Sequence, residues 1–539
     1  MTRQTSPSLK EQFLLLNRRL INTNWGRWHL GLVIAICVAA SLFRLAPIAT
    51  SRFHQDEAIY GHWALQITTG HDPWLSHFPV DKPPLYIYTL ALFLRLFGPT
   101  ETGARLPSEL ASAVSLVLLY ILGRRLYGPR TALVALALFA FSPFGILFAP
   151  TAMTDPLMVA CVLGGLVTIS FRHWGWAGLL LSLGFITKPQ AVLFLPLAVV
   201  LGVCTRQGPT AVHQAQHRQD GTAEAPDGHV PSITGSDIAW LVLGCGAAIL
   251  PAIVWDVLRS PGTGFFAQGI TSYGGLRWAP AITWPERLSQ WCDILRYTTG
   301  SSWLNALLAS GMPLLLLYGL IRWRTERDRL LDWVFVLFAL AFPVTHTVLE
   351  FNVWDRYMLG LTPVIALILA RILLLPGELI AAVWPKLRSN WRVYELGLAV
   401  LLVLALFRPA QDAANSRFPI GGAHGAYNGL DALVDYIRGH VPGNAVLYHR
   451  WLGWHYSFYL FDFPYLLQWY TSPDELATDA VERPGIPRYV AFPSWQSPTQ
   501  TRWVLRRSGL DMNPLYETYR DNGTRSFTLY RIEEAVTDG

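Results

Sequence analysis

The sequence predicts a polytopic α-helical membrane protein that carries a small α/β domain outside the membrane. Apolar residues make up 52% of the 539 residues and charged residues only 14%, whereas about a quarter of an ordinary soluble domain is charged. Apolar runs long enough to cross a hydrocarbon core of about 30 Å recur before residue 408. Residues 409–539 return to the mixed composition of a soluble domain.

The charge pattern excludes nucleic acid as a partner. The net charge is +6, but the basic residues stand in short clusters between apolar runs, which is how a membrane protein sets its orientation. Five cysteines show no C-x-x-C spacing, so neither a disulfide framework nor a cysteine metal site is indicated. We expect them to be packing residues.

The basic clusters also predict the topology. Residues 1–27 carry five Lys and Arg ahead of a long apolar run, which favours an uncleaved signal anchor with a cytoplasmic N-terminus. Leu85–Phe97 is short, follows Pro83-Pro84 and carries Arg95, so we expect an interfacial helix in the first outer loop. About eleven spans, within a range of 9–13, then follow: 28–49, 106–122, 131–149, 153–171, 174–187, 190–204, 237–258, 302–321, 330–349, 357–375 and 393–408.

Two polar segments divide the chain. Residues 205–236 within the transmembrane domain 1–408 are rich in Gly, Pro, Gln and His, which is typical of a flexible cytoplasmic loop. Its His213-x3-His217 pair has a zinc spacing, but no third ligand is near, so a solvated loop is favoured. The second segment, 409–539, is predicted as an extracytoplasmic α/β domain with helices at 431–440, after Ser472, and at 499–507, and strands at 445–449, 488–492 and 526–532.

The first candidate site is the adjacent carboxylate pair Asp56-Glu57, just past the outer end of the first span. Neighbouring residues on a helix point about 100° apart, so one carboxylate can face a cleft while the other binds backbone or a cation. The alternative is that Asp56 only caps the stretch 57–69. The spacing alone leaves both readings open.

The second candidate is Asp81-Lys82-Pro83-Pro84. The two prolines fix the backbone and start a helix, which holds Lys82 at the membrane surface, at the depth of a lipid phosphate. Two interpretations of Lys82 are equally favoured: it is a phosphate ligand, or it is an ordinary lysine that reaches from a helix start to the interface.

Three further polar groups stand at outer ends of predicted spans. They are Asp155 in Thr154-Asp155-Pro156, Lys188 in Thr187-Lys188-Pro189, and Arg356-Tyr357 in Trp354-Asp355-Arg356-Tyr357. Ionisable groups at such positions are costly unless they are paired or functional. Lys82, Lys188 and Arg356 on one face would form a cationic pocket for an anionic headgroup.

Together these five groups resemble the polyprenyl-phosphate-sugar-dependent membrane glycosyltransferases of GT-C fold, the superfamily of protein O-mannosyltransferases and of the bacterial aminoarabinose transferase of lipid A. Order and spacing agree over residues 28–375, and the stretch 98–127, with Ala104-Arg105-Leu106-Pro107, is also similar. Beyond Arg408 we find no specific match. The matched positions are Asp56-Glu57, Lys82-Pro83-Pro84-Leu85-Tyr86, Asp155, Thr187-Lys188 and Arg356-Tyr357.

The resemblance implies an inverting glycosyltransferase that uses a polyprenyl-phosphate-linked sugar donor and a protein, lipid or glycan acceptor, on the outer face of the cytoplasmic membrane. Asp56 would be the catalytic base, and Lys82 and Arg356 would stabilise the leaving phosphate. The implied substrate-binding residues are Glu57, Lys82, Asp155, Lys188, Arg356 and Tyr357. No cofactor is required, and it stays open whether Asp81 binds a divalent metal or tunes Lys82.

Two further questions stay open. Tyr273, Trp278, Trp284 and Trp291 in the outer loop 259–300 either stack on sugar or form an interfacial belt, and the belt is favoured. The alternative functions are a transporter or lipid flippase, and a non-catalytic sugar-binding scaffold. A transporter would need charges near mid-membrane and broken paired helices, whereas the charges predicted to lie outside cluster at span ends.

Overall fold

The computed structural model describes residues 24–45, 51–205, 233–259, 264–273, 277–320, 326–383 and 391–535. Its first part is a helical bundle. The helices are Asn24–Leu45, Gln55–Thr69, Pro84–Phe97, Glu101–Tyr127, Pro129–Ala140, Pro143–Phe148, Thr154–Ser170, Trp174–Phe185, Leu195–Cys204, Gly235–Arg259, Phe265–Tyr273, Trp284–Leu295, Ser302–Leu320, Glu326–Val348, Met358–Val383 and Trp391–Ala414, with 3-10 turns at Pro189–Phe194, Ala281–Thr283 and Asp355–Tyr357.

The predicted multi-pass membrane architecture is confirmed. Seven described helices are long and apolar enough to cross a membrane, and they lie at 28–45, 101–127, 235–259, 302–320, 327–348, 355–380 and 394–414. Four shorter apolar helical segments coincide with the other predicted spans. The count of eleven stays a prediction. The predicted cytoplasmic loop, with His213 and His217, and the basic N-terminal residues lie largely outside the described residues.

One predicted span is not a continuous helix. Over the predicted span 131–149 the chain forms Pro129–Ala140 and then Pro143–Phe148. Pro143 has no amide hydrogen to donate within a helix, and its ring clashes with the backbone that precedes it. The first helix therefore ends before Pro143. The Ser142 hydroxyl donates to the Thr298 carbonyl at 2.9 Å, which fixes the break against another part of the bundle.

The helix Met358–Val383 forms the centre of the bundle. Nearly all of its apolar stretch is buried, whereas most of Gly235–Arg259 is exposed at the bundle's flank. The turn Asp355–Tyr357 begins this central helix. Its polar side chains are therefore held at one end of the best-packed element.

The C-terminal part is a five-stranded mixed sheet with helices. Strands β1 (Val446–His449), β2 (Leu466–Trp469), β3 (Arg488–Pro493), β4 (Leu510–Tyr519) and β5 (Arg525–Glu534) lie in the order β2-β1-β3-β5-β4. β1 runs parallel to β2 and β3, and β5 runs antiparallel to β3 and β4. The helices are Leu430–His440, Gly453–Tyr459, Pro473–Glu482 and Thr499–Arg507.

Every predicted element of this α/β part is present, and β2, β4 and the helix Gly453–Tyr459 are additional. Ser472 caps its helix as expected, since its hydroxyl accepts the Glu475 amide at 3.2 Å. The domain boundary stays a prediction, because the helix Trp391–Ala414 runs through residues 408 and 409.

The two parts are in direct contact. The His455 ring nitrogen Nε2 lies 3.0 Å from the Phe53 carbonyl oxygen. The Tyr459 hydroxyl donates to Glu101, and the Phe53 and Phe458 rings pack 4.8 Å apart. The α/β part therefore rests on the segment that leads to Asp56.

Candidate active site

Asp56 lies in the first turn of the helix Gln55–Thr69, with its side chain about 29% exposed. His54 caps this helix: its ring Nδ1 accepts the Asp56 amide at 3.1 Å. The alternative that Asp56 is itself the cap is therefore wrong. Its carboxylate Oδ2 instead accepts from Arg356 Nη1 at 2.5 Å.

Glu57 is buried and receives four hydrogen bonds. Arg105 Nε and Nη2 donate to its two oxygens at 3.0 and 3.2 Å. The amides of Ala152 and His54 each donate at 2.8 Å. Glu57 thus links the start of its own helix to the Ala152 backbone and the Arg105 side chain, so its contacts favour positioning over direct substrate contact.

Lys82 is held by its chain neighbour. Its ammonium donates to Asp81 Oδ2 at 2.8 Å and lies 5.9 Å from the centre of the Tyr60 ring. Pro84 begins the helix Pro84–Phe97, as predicted. Burial lowers the pKa of Lys82 and the Asp81 carboxylate opposes that change.

Asp155 and Lys188 form another buried ion pair. Lys188 Nζ donates to Asp155 Oδ1 at 2.5 Å, and the same ammonium lies 4.3 Å from the centre of the Tyr357 ring. Burial lowers the pKa of Lys188 to about 8; Asp155 opposes this, while Arg356 and Lys82 add to it.

The structure thus brings together all the candidate groups singled out from the sequence. Burial raises the pKa of Asp56, but Arg356, His54 and Lys82 outweigh burial, so that pKa lies below its usual value. The three cations each hold one carboxylate, in the pairs Asp56–Arg356, Asp81–Lys82 and Asp155–Lys188. The centre is compact, polar and balanced in charge.

A glycine-rich segment of the C-terminal part lies beside this centre. Asp355 accepts the Arg356 amide on one oxygen and the Gly421 amide on the other, both at 2.7 Å. Gly421 has a φ of 79°, a conformation that favours glycine. Burial raises the pKa of Tyr427 in the same segment, and the charge of Asp56 adds to this.

The tryptophans of the loop 259–300 divide into two kinds. Trp278 is 76% exposed and Trp284 is 37% exposed, whereas Trp291 is fully buried. The belt interpretation stays a prediction for the exposed pair, and Trp291 instead packs inside the bundle against His346. The side chain of Tyr273 lies outside the described residues.

Sequence reasoning missed three contributors, Arg105, Asp355 and Gly421. Arg105 stood inside a motif stretch without an assigned role, although an arginine directly before the predicted span 106–122 is costly unless it is paired, and that signal could have been used. Gly421 stood in the run Gly421-Gly-Ala-His-Gly425, whose glycines mark a tight backbone turn.

A divalent metal at Asp81 does not fit the described residues. Such a cation prefers several carboxylate or carbonyl oxygens, but Asp81 pairs with Lys82. Among the residues that the structure describes, no group of three or more His, Cys, Asp or Glu is placed to hold a metal.

Comparisons with known proteins show which sequences and folds the chain resembles. Residues 81–212 match the family model described as dolichyl-phosphate-mannose-protein mannosyltransferase. The chain is 30% identical over 198 residues to undecaprenyl phosphate-alpha-4-amino-4-deoxy-L-arabinose arabinosyl transferase 1 of Pseudomonas fluorescens, covering 32% of this chain and 34% of the relative. It is 32% identical over 186 residues to the corresponding transferase of Pseudomonas paraeruginosa, covering 31% and 33%. The matched region spans about a third of the length of these relatives.

Solved structures extend the likeness in fold to most of the chain. ArnT from Cupriavidus metallidurans, bound to undecaprenyl phosphate, superposes with a TM-score of 0.55 at 15% identity, covering 94% of this chain and 98% of that one. An oligosaccharyltransferase of Archaeoglobus fulgidus, tethered with an acceptor peptide, superposes with a TM-score of 0.51 at 13% identity, covering 93% and 74%. The resemblance to polyprenyl-phosphate-sugar glycosyltransferases of GT-C fold, predicted from the motifs, is thereby confirmed.

Proposed function

We propose that this protein is an inverting glycosyltransferase that moves a sugar from a polyprenyl-phosphate donor to an acceptor. The observation that carries the proposal is the contact of Asp56 with Arg356 beside Lys82 and Lys188. A base and a set of phosphate-binding cations at one end of a membrane bundle are what this reaction requires. The sequence relatives, named for an undecaprenyl-phosphate sugar, support a donor of this class.

In the proposed resting state, Asp56 and Arg356 hold each other. A donor phosphate is a competing anion, so its arrival draws Arg356 and Lys82 to itself and leaves Asp56 exposed to the acceptor. Binding of the donor therefore prepares the base, and the enzyme is not committed to reaction before the donor is in place.

The chemical step follows from this arrangement. The acceptor hydroxyl or amine attacks the anomeric carbon as Asp56 Oδ2 takes its proton. A bond forms between the acceptor atom and that carbon, and the bond from the carbon to the phosphate oxygen breaks with inversion. The polyprenyl phosphate leaves with an added negative charge, which Arg356 and Lys82 stabilise.

The other paired residues position this centre. Glu57 fixes the start of the helix that carries Asp56, through Arg105 and the Ala152 amide. Asp155 holds Lys188 over the Tyr357 ring. Substrate contact in our proposal is therefore made by Lys82, Lys188, Arg356 and Tyr357.

The proposed location is the cytoplasmic, or inner, membrane, with the N-terminus in the cytoplasm. The basic clusters support this orientation, because they then lie inside, while Asp56 and its partners lie outside. The division into a transmembrane part, 1–408, and an extracytoplasmic part, 409–539, follows from the same topology. The contact of Asp355 with Gly421 supports a role for the second part in closing the site over the acceptor.

The test is transfer of radiolabelled sugar from a panel of synthetic polyprenyl-phosphate sugars by the purified full chain. We expect wild type to transfer or slowly hydrolyse one donor, Asp56→Asn to lose about a thousandfold in rate while still binding the lipid, and Lys82→Ala to lose affinity for it. Asp462→Asn, an exposed carboxylate of the C-terminal part, is the matched control and keeps full activity.

Two results would overturn the proposal. Full turnover by Asp56→Asn contradicts the mechanism. If wild type uses none of the donors, a transporter or lipid flippase, or a non-catalytic sugar-binding scaffold, becomes the better interpretation.

A further inference from the structure

A cluster of uncharged polar side chains lies next to the cationic centre and has no part in the mechanism above. Its members are Gln190 in the turn after Lys188, Trp291 in the helix Trp284–Leu295, and His346 near the end of the helix Glu326–Val348. Trp291 and His346 are buried almost completely. Three distant segments of the chain therefore meet here.

The hydrogen bonds fix the orientation of two members. His346 Nδ1 lies 2.9 Å from the Phe342 carbonyl oxygen, which can only accept, so Nδ1 carries the hydrogen. His346 Nε2 is then an acceptor, and Gln190 Nε2 donates to it at 3.2 Å. The amide oxygen Oε1 of Gln190 faces elsewhere, is buried, and has no partner among the described residues.

Trp291 supplies the complementary group. Its ring meets the His346 ring edge to face at 5.3 Å, and its indole Nε1 is buried without a partner in the described part of the chain. Trp284 in the same helix gives a contrast, since its Nε1 donates to the Ala279 carbonyl at 3.0 Å. A buried acceptor and a buried donor thus flank one imidazole.

Unsatisfied polar atoms of this kind are uncommon in folded proteins, and each one needs an explanation. Arg287 donates to the His346 carbonyl at 2.7 Å and to the Leu349 carbonyl at 2.8 Å, so the end of the helix that carries His346 is held in place. The cluster is therefore prearranged to receive a molecule that carries both donors and acceptors.

The cluster lies close to the cations of the candidate active site. The His346 ring lies 5.6 Å from the Tyr357 ring, and Tyr357 in turn lies under the Lys188 ammonium at 4.3 Å. One aromatic ring thus separates the cluster from the cations that we assign to the donor phosphate. A group attached directly to that phosphate would reach it.

We propose that Gln190, Trp291 and His346 form the subsite for the sugar of the lipid-phosphate donor. This inference rests on the proposed function. Sugar hydroxyls both donate and accept, so one can donate to Gln190 Oε1 and another accept from Trp291 Nε1. The three side chains offer neither a carboxylate for an amino sugar nor a cation for a uronic acid, so the subsite selects an uncharged, hydroxylated ring.

The test compares two lipids that differ only in the sugar. Binding of sugar-free undecaprenyl phosphate and of the sugar-linked lipid used by wild type is measured by competition on the full chain. Trp291→Phe removes the N–H and keeps an aromatic ring, and Gln190→Leu removes the amide and keeps its approximate size. We expect each to weaken the sugar-linked lipid roughly three- to tenfold and to leave the sugar-free lipid unchanged.

Trp278→Phe, at an exposed position of the same loop, is the control and should change neither affinity. The inference is overturned if both variants bind the sugar-linked lipid as wild type does, in which case water alone satisfies the cluster, or if both lipids weaken equally, in which case its role is packing or phosphate binding. A wild type that turns over no donor defeats the proposed function itself, whereas an active wild type with unaffected variants defeats the subsite alone.

Discussion

Asp56 and Glu57 are neighbours in sequence but belong to two different kinds of surroundings. Glu57 accepts four hydrogen bonds, from Arg105, Ala152 and His54, with its side chain about 4% exposed. Asp56 is about 29% exposed and one of its oxygens meets the guanidinium of Arg356. The first turn of one helix therefore presents Glu57 to the interior and Asp56 to a partly exposed position.

Ionisation does not separate the two residues. Burial raises the pKa of Glu57, but Arg105 and the backbone donors outweigh it, so the pKa lies below its usual value. The pKa of Asp56 is lowered in the same way by Arg356, His54 and Lys82 against burial. Both are anionic at neutral pH, so the difference lies in the number of donors that a substrate would have to displace.

Beyond the loss expected for Asp56→Asn itself, the largest effect should come from removing the partner of Asp56. In Arg356→Ala, we expect kcat/KM to fall about 10²- to 10³-fold, because the leaving phosphate loses a cation. The acid limb of the pH–rate profile should also move, to higher pH. Asp56 acts as a base only when ionised, and without Arg356 burial raises its pKa, so activity disappears at a higher pH as the solution is acidified.

The measurement is a pH–rate profile of kcat/KM for Arg356→Ala beside Arg356→Lys, which keeps a charge. A limb that stays at the wild-type pH in Arg356→Ala would mean that another group is the base.

Removing the charge of Glu57 should instead lower the stability of the fold. Glu57→Gln leaves Arg105 buried without a full counter-charge, and we expect the free energy of unfolding to fall by roughly 3 kcal/mol. Denaturant unfolding of the detergent-solubilised chain measures this, with Asp56→Asn as the matched variant, for which a smaller loss is expected because Asp56 is about 29% exposed. The comparison of the two carboxylates is wrong if Asp56→Asn is the less stable protein.

Lys188 gives an intermediate effect that depends on pH. Burial lowers its pKa to about 8 against the pull of Asp155. The ammonium is present below that pH and lost above it, so donor binding should weaken about tenfold between pH 7 and pH 9. Arginine stays charged, so Lys188→Arg should bind the donor equally at both values. The slope of affinity against pH, rather than its absolute value, is the quantity to compare, and an identical slope in the variant would exclude Lys188.

Much of the fold follows from local patterns, and the pairing of the site does not. Apolar runs and prolines predict the helices, and the motif spacing predicts which polar residues belong to one centre. Asp56 and Arg356, however, are 300 residues apart, and a single sequence carries no signal for which cation meets which carboxylate. The family match at 81–212 contains neither of them.

The same limit explains the missed elements. β2 is four residues long and half exposed, and β4 is interrupted at Pro514 with a shift in register, so neither has the alternation that identifies a strand. Trp278 and Trp291 are alike in type and in loop, yet one is exposed and the other buried. Which face of a short helix turns inward is decided by packing against distant segments, here His346 and Phe342.

The smallest expected effect concerns an ion pair in the C-terminal part. Its N–O distance is similar to that between Arg105 and Glu57. Arg438 and Asp462 lie 2.7 Å apart, with side chains 33% and 45% exposed. Water solvates both charges when they are separated, so Asp462→Asn should lower the free energy of unfolding by about 0.2–1 kcal/mol and leave sugar transfer unchanged. The same denaturant unfolding measurement tests the expected loss of stability. A loss as large as that of Glu57→Gln would show that contact distance, rather than burial and the number of donors, sets the strength of these pairs.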